Sequence, residues 1–423
     1  MDVQVHKIIY TIVFNEYLGY YYWTFNWTFI WTYVMSLSLP DYSLRIETER
    51  FGPFLFQIGC KASQLETLFL RVNDAQQRFC DSPFSQVAHH LEKEVAVSSI
   101  FGTNTIEGGT LSKEETERAL DLDPAEVQEI EHRRALNIKA AYDISRQAAE
   151  SGDWKLDLEF LQTIHAAVTD QIPDDHNRPG KLRDNPAGVT TYVGNKQHGG
   201  QYKPPQHRQD IKKLILALFQ FNQGLVDRDV PALIRAPLVH YYYELIHPYW
   251  DGNGRVGRII EATILQADGF RYAPFAQAGY YLKNIDQYFT HFNTCRKSAA
   301  RGLEFPVTPF VLFFLEGMFE SLNKIHDRVN DLIKNLLFET YLKRMWDDRK
   351  INERQYAIVS QLLSSSDYRQ LSKLRKAPWY TALYAKLTDK TAKRDLKRLE
   401  ELNLIVQDKK QLWPPILFNG AKK

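Results

Sequence analysis

Cysteine is scarce in this sequence: its 423 residues include only three, at positions 60, 80 and 295. Their spacing matches no metal-binding pattern, and an odd, sparse set does not form a disulfide framework. Such thiols are typical of a reducing compartment, so we expect a cytoplasmic protein. The net charge of +2 is close to zero and by itself favours no class of partner. No repeat of fixed period is evident, which argues against a repeat architecture.

Long apolar runs are also missing, apart from the uncharged and aromatic-rich segment 18–35. Threonines and Asn26 interrupt it, and it lacks the Leu, Ile and Val body that membrane-spanning helices have. It also lacks the basic start and small-residue cleavage site of a signal peptide. We hypothesise that the native chain starts at Met35. A membrane anchor and a soluble extension are the alternatives, and we do not expect a membrane partner.

What the sequence does contain is the composition of a folded globular protein, with 44% hydrophobic and 25% charged residues. Apolar residues recur with helical spacing from about Pro40 onward, and this pattern predicts a mainly α fold. The helical pattern is interrupted between Pro173 and Pro205 and then continues as far as the C-terminal domain. The predicted regions are an extension (1–34), an N-terminal helical region (35–125), a central core (126–325), a connecting helix (326–351) and a C-terminal domain (352–423).

Basic charge is concentrated at the C-terminus, where residues 352–423 hold 15 Lys and Arg against 7 Asp and Glu. The segment TAKRDLKRLEELNLI predicts an amphipathic helix with a basic exposed face, and LIV and QLW predict two strands around a turn. Helices followed by such a hairpin resemble a winged helix-turn-helix. We expect either DNA contact or a protein-docking and dimerisation module. The residues that would contact DNA phosphates are Lys390, Lys393, Arg394, Lys397 and Arg398.

Twelve residues in the middle of the chain, HPYWDGNGRVGR from His247 to Arg258, concentrate reactive side chains. Glycines let backbone amides approach an anion closely, and arginines bind phosphate oxygens in a forked geometry. An aspartate is a hard oxygen ligand suited to Mg²⁺, and a histidine titrates near neutrality and can act as a general base. The set predicts a site that binds a polyphosphate, holds a metal ion and takes a proton from a hydroxyl.

Two known glycine-rich patterns do not fit this segment. Its glycines match GxGxxG, but a helical segment precedes them, and no acidic residue follows where a dinucleotide fold requires one. A calcium loop would need a ligand where Arg255 stands and a bidentate Glu where Ala262 stands. A simple glycine-rich connection between helices would not explain the clustered His, Asp, Asn and Arg.

The segment resembles the signature of the Fic (Fic/Doc) family, HPFx(D/E)GNGRxxR, with Tyr249 in place of the usual Phe. The resemblance extends from about residue 60 to about residue 320. It implies a helical domain that transfers AMP from ATP to a protein hydroxyl, and some members of the family catalyse the reverse hydrolysis. Kinases of the family carry Lys at the second motif glycine, so Gly254 favours nucleotidyl transfer.

The resemblance also implies a role for each motif residue. His247 would deprotonate a Ser, Thr or Tyr hydroxyl of the target, aided by its place at the negative end of a helix dipole. Asp251 would hold Mg²⁺, and Asn253 would hold the α-phosphate. Arg255 and Arg258 would bind the β- and γ-phosphates. The backbone amides of an anion nest at the start of the second helix would come from Gly252, Gly254, Val256 and Gly257.

The upstream segment SSIFGTNTIEGG contains Thr103-xxx-Glu107-Gly108, which resembles the inhibitory motif of the family, (S/T)xxxE(G/N). It lies on a predicted helix upstream of the central motif, and the resemblance implies that Glu107 pairs with Arg258, so that this arginine cannot receive the γ-phosphate. We therefore expect an autoinhibited enzyme. The same carboxylate could orient a water molecule that removes AMP, so a hydrolase remains an open alternative.

Two further segments resemble elements of the family. GVTTYVG predicts a strand, and its residues Val189, Thr190, Thr191 and Tyr192 resemble a flap that docks the target by β-augmentation; a purely structural hairpin is the alternative. AGYYLKNIDQYF resembles the segment that contacts adenine, with Tyr281, Asn284 and Tyr288 as candidates, although Tyr-rich helical faces usually belong to a core. We assign no function to His165, His198 and His207, which have no ligand-like spacing.

Together these patterns and the resemblance to the Fic family imply a cytoplasmic, mainly α protein adenylyltransferase that uses ATP and Mg²⁺ and modifies a hydroxyl of a target protein or of itself. We expect a Fic-type helical bundle with a small β-hairpin flap and a C-terminal winged helix-turn-helix. A deAMPylating hydrolase with the same site is one alternative. A DNA-binding regulator whose Fic domain senses nucleotides is the other. The candidate partners of the tail are a second copy of the chain, in a homodimer, and DNA.

Overall fold

The computed structural model describes residues 36–81 and 91–417. The predicted extension 1–34, and with it the choice between a later start, an anchor and a soluble segment, lies outside these residues. Within them, no helix combines the length and the apolar character that crossing a membrane requires.

Helices dominate the described residues, which confirms the predicted mainly α class. In chain order they are α1 (Ala62–Asp81), α2 (Glu92–Ile106), α3 (Lys113–Ala119), α4 (Ile130–Glu150), α5 (Leu158–Thr169), α6 (Arg208–Val226), α7 (Ala232–Ile246), α8 (Asn253–Ala267), α9 (Ala273–Lys283), α10 (Ile285–Ala300), α11 (Thr308–Asp347), α12 (Glu353–Ser364), α13 (Leu371–Leu374), α14 (Pro378–Tyr384) and α15 (Asp389–Glu401). The strands form three antiparallel hairpins: β1 (Ser43–Glu47) with β2 (Pro53–Gln57), β3 (Val193–Asn195) with β4 (Gly200–Tyr202), and β5 (Val406–Asp408) with β6 (Gln411–Trp413).

The main core is built around α7 and α8, which pack on each other, while α8 also packs on α4 and α5. Helix α7 is buried on nearly all sides, and only Arg235, Glu244 and Leu245 of its residues are partly exposed. A helix that is apolar on all sides belongs in the centre of a domain. The six residues 247–252 that join α7 to α8 therefore lie against the core, with Pro248 and Tyr249 buried.

The hairpin β3–β4 lies further along the chain than the β-branched pattern predicts. The predicted flap residues 189–192 precede the strand, which begins at Val193. A side chain takes the place of a strand partner here: Thr191 N donates to Gln206 Oε1 at 2.8 Å, and Gln206 Nε2 donates to Thr191 O at 3.2 Å. Because these backbone groups already have partners, the chain does not pair as a strand until it has passed Tyr192.

The C-terminal residues form a second, smaller apolar cluster, which includes Ile358, Leu374, Leu399 and Leu412. Helix α11 runs without a break from the main core into this cluster, so the predicted boundary at residue 325 falls inside a continuous helix. Gln370 forms an antiparallel bridge with Gln411, so the β5–β6 hairpin is fixed to the segment before α13. The order of helices and hairpin is the one expected from the sequence, and the winged-helix assignment stays a prediction.

Candidate active site

The turn between α7 and α8 brings the reactive residues of the central motif together. His247 ends α7 in the left-handed conformation, with φ of 50°, and its backbone N–H donates to Tyr243 O. Gly252 begins α8 with φ of 80°, a conformation that favours glycine. The two reversals let six residues connect the helices, so the imidazole of His247 lies near the positive end of α8.

Buried side chains hold this turn in place. Asn253 is 3% exposed, and its amide both accepts from Tyr249 N at 3.0 Å and donates to Tyr249 O at 2.8 Å. The guanidinium of Arg183 donates to His247 O at 2.7 Å. Asn253, for which the sequence predicts a phosphate contact, thus has its amide engaged in shaping the turn.

His165, for which the sequence predicts no role, lies directly beneath the turn. Its ring stacks on Tyr249 with a centroid separation of 3.5 Å. Gly180 N donates to its Nδ1 at 2.9 Å, which leaves the proton on Nε2 for donation to Asp251 O at 3.1 Å. Burial lowers the pKa of His165 to about 4, so the ring is neutral at physiological pH. A neutral imidazole with this tautomer fixes the backbone of Asp251.

Asp251 presents a carboxylate beside the start of α8. Arg255 Nη2 lies 2.6 Å from Asp251 Oδ2, and the arginine side chain is 3% exposed against 36% for the aspartate. Burial raises the pKa of Asp251, but the charge and hydrogen bond of Arg255 and the amide of Gly252 outweigh it, so the pKa lies below its ordinary value. The carboxylate is therefore ionised and accessible.

The side chains near Asp251 suit a magnesium ion that binds together with the phosphates of a nucleotide. Among the described residues, no group of three or more His, Cys, Asp or Glu side chains is placed to hold a metal by itself. Mg²⁺ commonly binds through one or two carboxylates together with the phosphates of a substrate. The single ionised carboxylate of Asp251 suits that arrangement and not an all-protein cage.

Arg258 is held by α2 and by the residue that follows it, Glu107. Its Nη2 lies 2.7 Å from Glu107 Oε1, and its Nε donates to Thr103 Oγ1 at 2.5 Å. The arginine side chain is 3% exposed and that of Glu107 28%. Burial lowers the pKa of Arg258, but the Glu107 carboxylate outweighs it and raises the pKa, so the arginine keeps its charge. A Cβ added at Gly254 would lie 2.3 Å from Glu107 Oε1, so the carboxylate fills the space above the first turn of α8.

A buried polar network continues behind Arg258. Tyr288 OH lies 3.4 Å from Arg258 Nη1 and 3.1 Å from His240 Nε2. His240 Nδ1 lies 2.7 Å from Glu261 Oε2, and Tyr281 OH donates to both oxygens of Glu261 at 2.9 Å. Burial and the charge of Glu261 raise the pKa of Tyr281, which stays protonated and donates. His240 and Glu261 had no sequence signal, since only packing brings them together.

Glu244 places a carboxylate close to the predicted base. One turn before His247 on α7, its Oε2 lies 3.5 Å from His247 Nδ1. Burial raises the pKa of Glu244, but His247, His240 and Arg258 outweigh it and lower the pKa. An ionised carboxylate at Nδ1 favours the tautomer with a proton on that nitrogen, which leaves Nε2 free to accept one.

A cavity of about 290 Å³ opens beside His247, Glu107 and Arg258. Its other walls come from the β3–β4 hairpin and from one face of α10. Of the three predicted adenine contacts only Tyr288 lines it; Tyr281 is fully buried on Glu261, and Asn284 lies outside it. The α10 residues that line it and that the sequence did not indicate are Phe289, Phe292, Asn293 and Arg296. They follow Tyr288 at intervals of one, four, five and eight residues, the spacing of one helical face.

Residues 155–265 match the family model described as Fic/DOC family. The chain contains a Fic/DOC domain. The central turn, residues 247–258, lies within this match and is named the Fic motif here, and the predicted family is confirmed. A larger cavity of about 900 Å³ lies beside α2 and α4 and contains no residue of the Fic motif.

Two curated relatives are each similar to somewhat less than half of the chain. "Protein adenylyltransferase Fic" of Nematostella vectensis is 26% identical over 187 residues, which is 42% of this chain and 39% of that protein. "Protein adenylyltransferase fic-1" of Caenorhabditis elegans is 25% identical over 216 residues, which is 49% of this chain and 39% of that protein. The chain thus spans about two-fifths of the length of these relatives.

Solved structures confirm the Fic-type fold. The crystal structure of a Fic family protein from Desulfovibrio desulfuricans G20 has a TM-score of 0.52 at 18% identity, covering 84% of this chain and 96% of that one. A Fic domain containing signaling protein from Bacteroides thetaiotaomicron has a TM-score of 0.50 at 16% identity, covering 63% and 96%. At these identities the likeness shows the fold of the Fic domain.

Proposed function

We propose that this protein is an autoinhibited protein adenylyltransferase that transfers AMP from ATP to a hydroxyl of a target protein or of itself. The observation that carries this proposal is the meeting of three groups at one cavity: the base His247, the phosphate-binding Arg258, and Glu107, which occupies Arg258. Relatives that bear the name protein adenylyltransferase support the reaction class.

The cavity and the first turn of α8 suit the two halves of ATP. The aromatic walls from Phe289 and Phe292 suit the base, while backbone amides and buried Arg255 and Arg258 suit the phosphates. Magnesium held at Asp251 would neutralise charge that develops on the phosphates.

The proposed reaction is an in-line transfer at the α-phosphorus. The target hydroxyl gives its proton to His247 Nε2 while its oxygen forms a bond to the α-phosphorus, and the bond to the bridging oxygen of pyrophosphate breaks. The Glu244 carboxylate, 3.5 Å from His247 Nδ1, favours a proton on that nitrogen and so keeps Nε2 available. Such a reaction depends mainly on positioning and on neutralising charge.

Inhibition follows from competition for one arginine. As long as Glu107 holds Arg258, the γ-phosphate has no cation at that position, and the carboxylate repels it. ATP then binds without the in-line alignment of its α-phosphate.

The decisive experiment is transfer of label from α-labelled ATP with Mg²⁺, comparing the wild type, Glu107→Gly and Glu107→Gly/His247→Ala. Label on protein in the Glu107→Gly variant alone supports autoinhibited transfer with His247 as base. No label in any variant, even with a cell lysate as target, contradicts the proposal.

A deAMPylating hydrolase is the second candidate, because the Glu107 carboxylate lines the same cavity as His247 and could orient a water. Release of AMP from pre-labelled protein by the wild type, lost in Glu107→Gln, would favour it. A regulator that only senses nucleotides is the third; it predicts ATP binding without either reaction.

The setting and partners of the enzyme are also proposals. A target protein is the first of them, and we propose that it docks along 189–195, where Val189 and Tyr192 are 41% and 59% exposed. The formation of a homodimer stays a prediction. Of the cysteines, Cys60 and Cys295 are buried thiols and Cys80 is exposed and free, which agrees with the cytoplasmic location that we propose.

A further inference from the structure

One face of α15 carries a continuous row of cations. Lys390, Lys393, Arg394 and Lys397 are all exposed, and their spacing of i, i+3, i+4 and i+7 places them on the same side of the helix. Asp395 and Leu399 of the same helix are buried. The helix thus presents its basic side to solvent.

These cations are not neutralised by the protein. Within the described residues, none of the four has a carboxylate oxygen within 4.0 Å, which distinguishes them from many exposed lysines elsewhere in the structure. Lys139 lies 3.0 Å from Asp143, and Lys283 lies 2.8 Å from Glu320. Like charges at these helical spacings repel each other, so an external polyanion would relieve the repulsion.

A buried carboxylate fixes the direction in which this row points. Asp395 accepts hydrogen bonds from Arg354 Nε at 3.0 Å, from Gln355 Nε2 at 3.2 Å and from Tyr384 OH at 3.0 Å. These partners lie on α12 and α14, so the inner side of α15 is tied to both helices. These contacts therefore fix which side of α15 faces solvent.

Two neighbouring features extend the cationic surface. Lys409 and Lys410 are exposed at the turn of the β5–β6 hairpin, whose position is fixed by the bridge from Gln370 to Gln411. Helices α14 and α15 follow each other after a short turn, as the two helices of a helix-turn-helix do, and in such pairs the second helix enters the major groove of DNA.

We propose that α15, together with the turn of the β5–β6 hairpin, binds duplex DNA, mainly through its phosphates. A B-form major groove is about 12 Å wide and admits a helix, whereas the deep and narrow major groove of duplex RNA does not. DNA is also the polyanion whose regular charge matches a row of cations on one face. This surface is separate from the Fic motif and does not depend on AMP transfer.

The test is equilibrium binding of the full chain to a labelled DNA duplex of about 20 base pairs, measured without nucleotide over a range of salt concentrations. With four to six phosphate contacts, affinity should fall by about 10²- to 10³-fold between about 50 and 200 mM salt. Lys393→Gln/Lys397→Gln should weaken binding and make the log–log salt slope shallower by about 2. Both side chains are exposed, so the unfolding midpoint should not change.

The matched control is Lys139→Gln/Lys283→Gln, which removes the same charge from paired lysines and should bind like the wild type. An unchanged slope in the tail variant, an equal loss in the control, or no duplex binding at about 50 mM salt would overturn the proposal. Tighter binding to duplex RNA or to an acidic polypeptide would also overturn it. Label transfer by the tail variant in the Glu107→Gly background should be unchanged, so the two proposals fail separately.

Discussion

Replacing Glu107 by glycine removes the carboxylate that, among the described residues, forms an ion pair with Arg258. The change has two local effects. It breaks the 2.7 Å contact with Arg258 Nη2, and it empties the space above Gly254, where a Cβ would lie 2.3 Å from Glu107 Oε1. Thr103 still holds the guanidinium through its hydroxyl and, at 3.3 Å, its carbonyl oxygen. Arg258 should therefore stay in place and become available to a phosphate.

The size of the effect follows from the contact that is lost. A hydrogen bond between charged groups contributes about 1.5–3 kcal/mol, and the buried guanidinium is at the upper part of this range. If ATP must displace Glu107 before it aligns, removal of the carboxylate should raise the rate of transfer by about 10- to 10²-fold. The gain should be in the rate more than in ATP affinity, because the base and the other phosphate contacts are unchanged.

The assay is the initial rate of label transfer from α-labelled ATP as a function of ATP concentration. Glu107→Gln keeps the volume of the side chain and loses its charge, so its transfer rate should lie between those of the wild type and Glu107→Gly. The variant thus separates charge repulsion of the γ-phosphate from steric blocking of its site. Glu94→Gly is the matched control. Glu94 lies near the start of α2, the helix that Glu107 directly follows, and pairs with Arg328 at 3.0 Å. It therefore reports what loosening α2 does by itself.

Two results would refute this reasoning. One is a Glu107→Gly variant no faster than the wild type at saturating ATP. The other is equal activation by Glu94→Gly, which would mean that the stability of α2, and not the contact with Arg258, sets the activity.

Three further predictions concern other parts of the structure. Asp251→Asn in the activated background should raise the Mg²⁺ concentration needed for half-maximal label transfer about tenfold or more, because a neutral amide is a poorer ligand; an unchanged Mg²⁺ titration would contradict the assigned role. The pKa of His165 is lowered to about 4 in the folded state, so the unfolded state binds a proton first as the pH falls. The free energy of unfolding should therefore fall by up to about 3 kcal/mol between about pH 6.5 and 4. In denaturant unfolding, the His165→Gln variant should not show this part of the pH dependence. Asp395→Ala leaves Arg354 and Tyr384 without their acceptor and should destabilise the C-terminal cluster by about 2–4 kcal/mol. The effect should be seen as faster proteolysis after α11. Resistance to proteolysis equal to that of the wild type would show that these hydrogen bonds of Asp395 do not stabilise the cluster.

The order of residues along the chain was enough to predict the central turn. The residues that form it are neighbours in sequence: His247, Asp251, Asn253 and Arg258. The helical patterns on either side predict a short turn between two helices, which brings these residues together. The contact of Glu107 with Arg258, across 151 residues, came from resemblance to a family and from no local pattern. The basic row on α15 was also visible in the sequence, because helical spacing alone puts Lys390, Lys393 and Lys397 on one face.

Tertiary structure decided the rest, for reasons of packing and of hydrogen-bond partners. The strand begins at Val193 and not earlier because Gln206 satisfies the backbone of Thr191. His165 supports the turn because α5 packs beneath it, and His240 and Glu261 meet because both are enclosed in the core. Sequence specifies which groups are available and which side of a helix they occupy. Only the packed fold determines which buried groups share a partner, because that partner is distant in the chain and is chosen by the need to satisfy each buried polar atom.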